Sequence, residues 1–151
     1  MDNPVIQYST DNLQPAVIAS LKKVKLARFR VTGRSMLPII SPGDWVIVET
    51  DLLPDKLKSG DIILISRPND FVVHRIMRIS ENKVIAQGDW VTIEDPGVVF
   101  DDIHGKVIRI EKKIFTLNLN NKFVLLTSLC LSKFIHKTKK FLLKRGIYAR
   151  N

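Results

Sequence analysis

Ser35 stands in the stretch "VTGRSMLPIISPGDW", between Gly33 and Pro38, with Met36 beside it and a Gly-Asp pair at Gly43 and Asp44 close behind. A glycine on one side and a proline on the other define a turn and restrict where the hydroxyl between them points. Two further stretches carry reactive groups. In "FVVHRIMRI" His74 interrupts an apolar run, and in "AQGDWVTIEDPG" Asp89 follows a glycine, with Asp95 six residues later. A serine, an imidazole and a carboxylate are the parts of an activated nucleophile: the ring takes the hydroxyl proton and the carboxylate orients the ring. Neutral imidazole suits that task, with an unperturbed pKa of about 6.5. Each part also has an ordinary use. Serine is common in glycine-containing turns, histidine in a strand is commonly hydrogen-bonded or exposed, and aspartate in turns bonds its neighbouring backbone. Residue types alone therefore leave catalysis open, and with it the choice between the two aspartates.

The elements that must position these groups are short strands. From Arg28 to about Glu111 the runs "FRVTG", "DWVIVET", "DIILISR", "FVVHRIMRIS", "KVIAQGD" and "GKVIRIEKKIFTL" alternate or are β-branched. Turn residues divide them about every ten positions, which predicts a mainly β, mostly antiparallel domain of the barrel or sandwich kind. Before it, residues 12–28 suit a short helix capped by Asn12, with Val17, Ile18, Leu21 and Val24 on one face. After the turn at residues 118–121, the spacing predicts an amphipathic basic helix stopped by Gly146. Lys133, Lys137, Lys140 and Lys144 fall on one face, and Leu131, Phe134, Ile135, Phe141 and Leu142 on the other. The expected organisation is an N-terminal segment over 1–27, a β domain over 28–117 and the basic helix over 118–151.

Composition narrows the class. Apolar residues make up 45% and charged residues 26% of 151, as in a globular domain. The net charge of +9 is concentrated: residues 112–151 hold ten Lys/Arg and no acidic residue, while the remainder is nearly neutral. Nucleic acid is therefore not an expected partner of the body. Cys130 is the lone cysteine, which excludes an internal disulfide. His74, His104 and His136 lack metal-ligand spacing, so no metal or organic cofactor is expected. Neither a signal peptide nor a run of apolar residues long enough to span a membrane is readable. The location expected is the cytoplasm or the periphery of a membrane, with Lys133, Lys137, Lys140, Lys144, Phe134 and Phe141 as candidate contacts to an anionic surface.

Six segments in unbroken order resemble the signal peptidase I family, within the wider group of serine peptidases that includes LexA-type self-cleaving repressors. They are "GRSMLP", "GDWVIV", "GDIILI", "VVHRIMRI", "AQGDWVTIED" and "IHGKVIRI", and they cover about residues 28–112. The resemblance implies that Ser35 is the nucleophile, within a box completed by Gly33, Met36 and Pro38. His74 would be the base, as in the endoplasmic-reticulum, archaeal and sporulation branch; bacterial signal peptidase I and LexA-type proteins have a lysine at this point. Asp95 would orient the imidazole, and Asp89 would be a second, structural or electrostatic carboxylate. Gly33 stands where many members have a serine that helps bind the oxyanion, so that duty would pass to backbone N–H groups, including that of Ser35.

The implied function is a serine endopeptidase of the signal-peptidase type, cutting a leader-like peptide or preprotein bound in extended form. Two alternatives remain: a non-catalytic peptide- or partner-binding module on the same fold, and a LexA-type self-cleaving regulator. The second expects a DNA-binding domain, for which the roughly 28 residues before the β core are too few, and an Ala-Gly or Cys-Gly bond, which the sequence lacks. The membrane anchor usual in signal peptidases likewise has no counterpart before Phe29.

Overall fold

A computed structural model describes residues 14–51 and 54–144. Helix α1 (Gln14–Leu21) is followed by strands β1 (Leu26–Arg30), β2 (Trp45–Glu49), β3 (Ile62–Arg67), β4 (Asp70–Ser80), β5 (Lys83–Gln87), β6 (Ile103–Glu111) and β7 (Thr116–Asn118), and then by helix α2 (Lys122–Lys144). The strands form one seven-stranded sheet in the order β1-β2-β6-β3-β4-β5, with β7 also paired to β6. Every pairing is antiparallel. The mainly β fold expected from the sequence is thus present as a single sheet.

Strand β3 lies at the centre and explains its own continuous apolar run. Ile62 and Leu64 enter a core with Val46, Val48, Val107, Ile110 and, from α1, Val17 and Leu21. Ile63 and Ile65 enter a second core with Ile76, Val84, Ala86 and Val98. A strand buried on both faces does not alternate. Each such side chain contributes about 1.5–3 kcal/mol relative to leaving it in water.

The Gly-Asp pairs serve the sheet. Asp44 accepts a hydrogen bond from the Ser41 backbone N–H and lies 2.6 Å from Lys112 Nζ. Asp61 accepts one from the Lys58 N–H and lies 2.9 Å from Lys106 Nζ. In each case a turn carboxylate closes its own loop and pins it to, or just past, β6. At Gly43 the backbone φ is +91°, a conformation that glycine adopts without penalty.

Three expectations about boundaries need correction. The first helix ends at Leu21 rather than running to residue 28. Thr50 draws the following segment into the sheet: its N–H bonds the Lys25 carbonyl at 3.0 Å and its hydroxyl bonds the Val24 carbonyl. Strand pairing from Leu26 onward thus overrides helical spacing, and β1 begins two residues before the expected domain boundary. Asn12 and Gly146, the proposed cap and stop, lie outside the described residues. The run "GKVIRIEKKIFTL" is two strands, folded back by a turn in which the Lys112 N–H bonds the Phe115 carbonyl at 2.9 Å.

Helix α2 starts where the sequence predicts, capped by Asn121, whose side chain accepts the Phe123 N–H at 2.9 Å. The face it buries is not the one that carries Phe134 and Phe141. Among its described side chains Ser128, Ser132 and Lys139 are buried, while Phe134 and Phe141 are 67% and 52% exposed. The reason is a buried ion pair beneath the helix, described next, which takes hydroxyl partners rather than phenyl rings.

Candidate active site

Ser35 follows β1 in a turn anchored by its neighbours. Met36 and Ile40 are buried in the α1-side core, and the Ile40 N–H bonds the Met36 carbonyl at 2.9 Å. Pro38 stays exposed on the same turn, and the Leu37–Pro38 peptide bond is cis. Ser35 itself is half-buried and lines, with Gly33 and Met36, a cleft of about 600 Å³. Its lining includes residues 29–33, at and just past the end of β1, and residues 70–73 at the start of β4.

A second loop fixes the nucleophile turn from the other side. The Trp90 N–H donates to the Ser35 carbonyl at 2.7 Å. Gly88 packs so closely on Ser35 that a Cβ there would fall 2.6 Å from the Ser35 carbonyl oxygen and 2.9 Å from its Cβ. Only glycine admits that approach.

His74 lies in β4, opposite Ile63 of β3, and is 8% exposed. Its Nδ1 is 2.6 Å from Asp95 Oδ2. Asp95 reaches it because the loop after β5 turns back on itself: the Asp95 N–H bonds the Ala86 carbonyl and Val98 bridges to Val84. The other carboxylate oxygen, Oδ1, lies 2.6 Å from the Arg67 guanidinium. Burial alone would raise the Asp95 pKa. The hydrogen bond and charge of His74, together with Arg67, outweigh burial and hold the carboxyl below its ordinary value. The anionic carboxylate then accepts the Nδ1 proton, leaving Nε2 as the nitrogen free to act as a base. Among the described residues no hydrogen bond joins the Ser35 hydroxyl to that ring; such contacts often tighten only when substrate is bound.

Asp89 is placed quite differently from Asp95. It is fully buried and paired through both oxygens with Arg75, at 2.8 and 2.7 Å. Arg75 also donates to the Gly60 carbonyl at 2.9 Å, and Ser132 of α2 donates to Asp89 at 2.7 Å. Lys139 bonds the Trp90 carbonyl and sits 3.6 Å above the Trp90 ring. The pair thus ties β4, one residue from His74, to the loop that touches Ser35. Breaking a buried ion pair from one side leaves an uncompensated charge. Asp89→Asn is therefore expected to cost about 3–5 kcal/mol of stability, read as a lower midpoint in thermal or urea denaturation. Residual activity per folded molecule should fall far less than stability does.

The structure brings His74 and Asp95 together and sets Ser35 against the end of β5, beside the strand that carries His74. Asp89 instead pairs with Arg75. Sequence reasoning did not single out Arg67, Ser128, Ser132 or Lys139. The serines four residues apart inside an apolar helix were the available signal; Arg67, in an ordinary Arg-Pro-Asn-Asp turn, offered none. Among the described residues no three His, Cys, Asp or Glu side chains are grouped to hold a metal ion. The sequence model of the family described as Peptidase S24-like matches residues 6–108. Among curated proteins, none matches the chain.

Proposed function

The chain belongs to the Peptidase S24-like family, and from that premise we propose that it is a serine endopeptidase of the signal-peptidase type, with Ser35 as nucleophile, His74 as base and Asp95 as the orienting carboxylate. The observation that carries this reading is the His74–Asp95 hydrogen bond beside a cleft lined by Ser35.

A peptide would lie extended between segment 29–33 and the first residues of β4. The end of β1 and the start of β4 both line the cleft, and added-strand pairing supplies main-chain hydrogen bonds. Ser35 Oγ attacks the scissile carbonyl while Nε2 of His74 takes the hydroxyl proton. The imidazolium that results is stabilised by Asp95, whose own charge is held by Arg67. The tetrahedral oxyanion is met by backbone N–H groups, including that of Ser35, because Gly33 offers no hydroxyl. Collapse expels the amine, which takes its proton from His74, and water then releases the acyl group from Ser35 by the same route in reverse.

A substrate in trans is favoured over self-cleavage because the sequence lacks the Ala-Gly and Cys-Gly bonds cut by LexA-type proteins. The histidine at position 74, rather than a lysine, points the same way.

A fluorophosphonate probe tests the assignment. One equivalent should attach, at Ser35 by peptide mapping, and His74→Ala should slow labelling strongly in protein that still melts cooperatively, though at a lower temperature. Labelling at another serine, or no labelling of folded protein, would remove the catalytic reading and leave the binding-module alternative.

A further inference from the structure

Helix α2 presents two unlike faces. Inward, Ser128, Ser132 and Lys139 meet Arg75, Asp89 and Trp90. Outward, Phe123, Leu126 and Phe134 are 74%, 59% and 67% exposed, and Lys133, Lys137 and Lys140 are exposed with them. At 100° per residue these six fall within an outward arc of about 120°, with the lysines and Leu126 toward one edge and Phe123 and Phe134 toward the other. No acidic residue occurs in α2, nor anywhere in residues 112–151, so nothing on the helix or after it offsets the lysines.

We infer that this arc docks on an anionic lipid bilayer. The helix would lie in the plane of the interface, with Phe123 and Phe134 at the acyl boundary and the lysines on headgroup phosphates. No helix among the described residues is long and apolar enough to cross a membrane, so this contact is peripheral. Charge and shape select this occupant. A second copy of the chain would bring lysines against lysines. Nucleic acid would take the lysines but leave the phenylalanines and Leu126 in water. A bilayer of anionic lipid satisfies both classes of side chain at once. The inference is independent of whether Ser35 is the nucleophile, because none of the arc residues lines the cleft.

The test is co-sedimentation of the full chain with phosphatidylcholine vesicles, with and without phosphatidylserine, at fixed salt. Wild type should bind only the anionic vesicles. Each lysine at such a surface contributes about fivefold to partitioning, so Lys133→Glu/Lys137→Glu/Lys140→Glu should lower it by about a hundredfold or more. Phe123→Ser/Phe134→Ser should weaken it as well, by withdrawing the apolar contact. Both variants should melt like wild type, since all five positions are solvent-facing. Any of four results would overturn the inference. They are wild type remaining in the supernatant with anionic vesicles, wild-type binding by the triple-glutamate variant, or tighter binding to duplex DNA than to vesicles at the same salt. The fourth is a dimer in sedimentation velocity that the serine variant converts to monomer.

Discussion

Ser35→Ala and His74→Ala should each lower kcat on a cleavable peptide by about 10⁴- to 10⁶-fold, with the double variant little worse than either single one. The two side chains serve a single proton transfer, so removing either removes the step, and a second removal finds nothing left to take. Residual turnover above the uncatalysed rate would come from binding and from oxyanion contacts. The alanine at 35 deletes one oxygen from a half-buried side chain, so the fold should persist, and Met36 and Ile40 should still seat the turn. Steady-state hydrolysis with a parallel thermal melt is the measurement. Wild-type turnover in Ser35→Ala would end the assignment, and strictly additive losses would mean that the two residues act separately.

Asp95→Asn should lower kcat by about 10⁴-fold while leaving KM and the fold nearly unchanged. An amide of the same shape still reaches Nδ1, but its NH₂ group favours the tautomer with the proton on Nε2, the nitrogen required as base. A pH series supplies a second readout. Because the Asp95 pKa is lowered in the folded protein, the carboxylate contributes stability that is present above its ordinary value of about 3.9 and is lost as pH falls through the depressed one. The stability gap between wild type and Asp95→Asn should therefore be open at neutral pH and close as the solution is acidified below about 4. A gap unchanged down to acid pH would mean that the carboxylate is not held ionised by His74 and Arg67. Should Asp89→Asn, rather than Asp95→Asn, abolish turnover in well-folded protein, the two carboxylates have been assigned the wrong way round.

Much of this arrangement was legible before any coordinates. The strands announced themselves through β-branched runs between Gly-Asp and Asp-Pro-Gly turns, because antiparallel pairing and turn chemistry are both local in sequence. His74 and Asp95 were legible for a different reason: the motifs around them resemble known peptidases. Two things were not legible. Helical spacing in residues 22–28 looked sound, yet Thr50, about twenty-five residues away, claims that backbone for a strand. Which face of α2 turns inward was hidden likewise, since periodicity separates side chains by polarity without showing what lies beneath them. Here the surface is a carboxylate paired with a guanidinium, and it selects Ser132 and Ser128 over Phe134 and Phe141. Arg67 joined the site through the third dimension alone.

The hydrogen bond from Ser132 to Asp89 links the fate of the C-terminal helix to that of the sheet. A terminal helix resting on an apolar surface can peel away and leave the rest intact, at the expense of some wetted hydrocarbon. Peeling α2 instead admits water to a guanidinium–carboxylate pair and releases the loop that seats the serine. Local opening is therefore drawn into global unfolding, and the helix behaves as part of the same cooperative unit as β4 and β5. Its backbone amides between residues 128 and 139 should be among the slowest to exchange hydrogen for deuterium, in company with those of the strands.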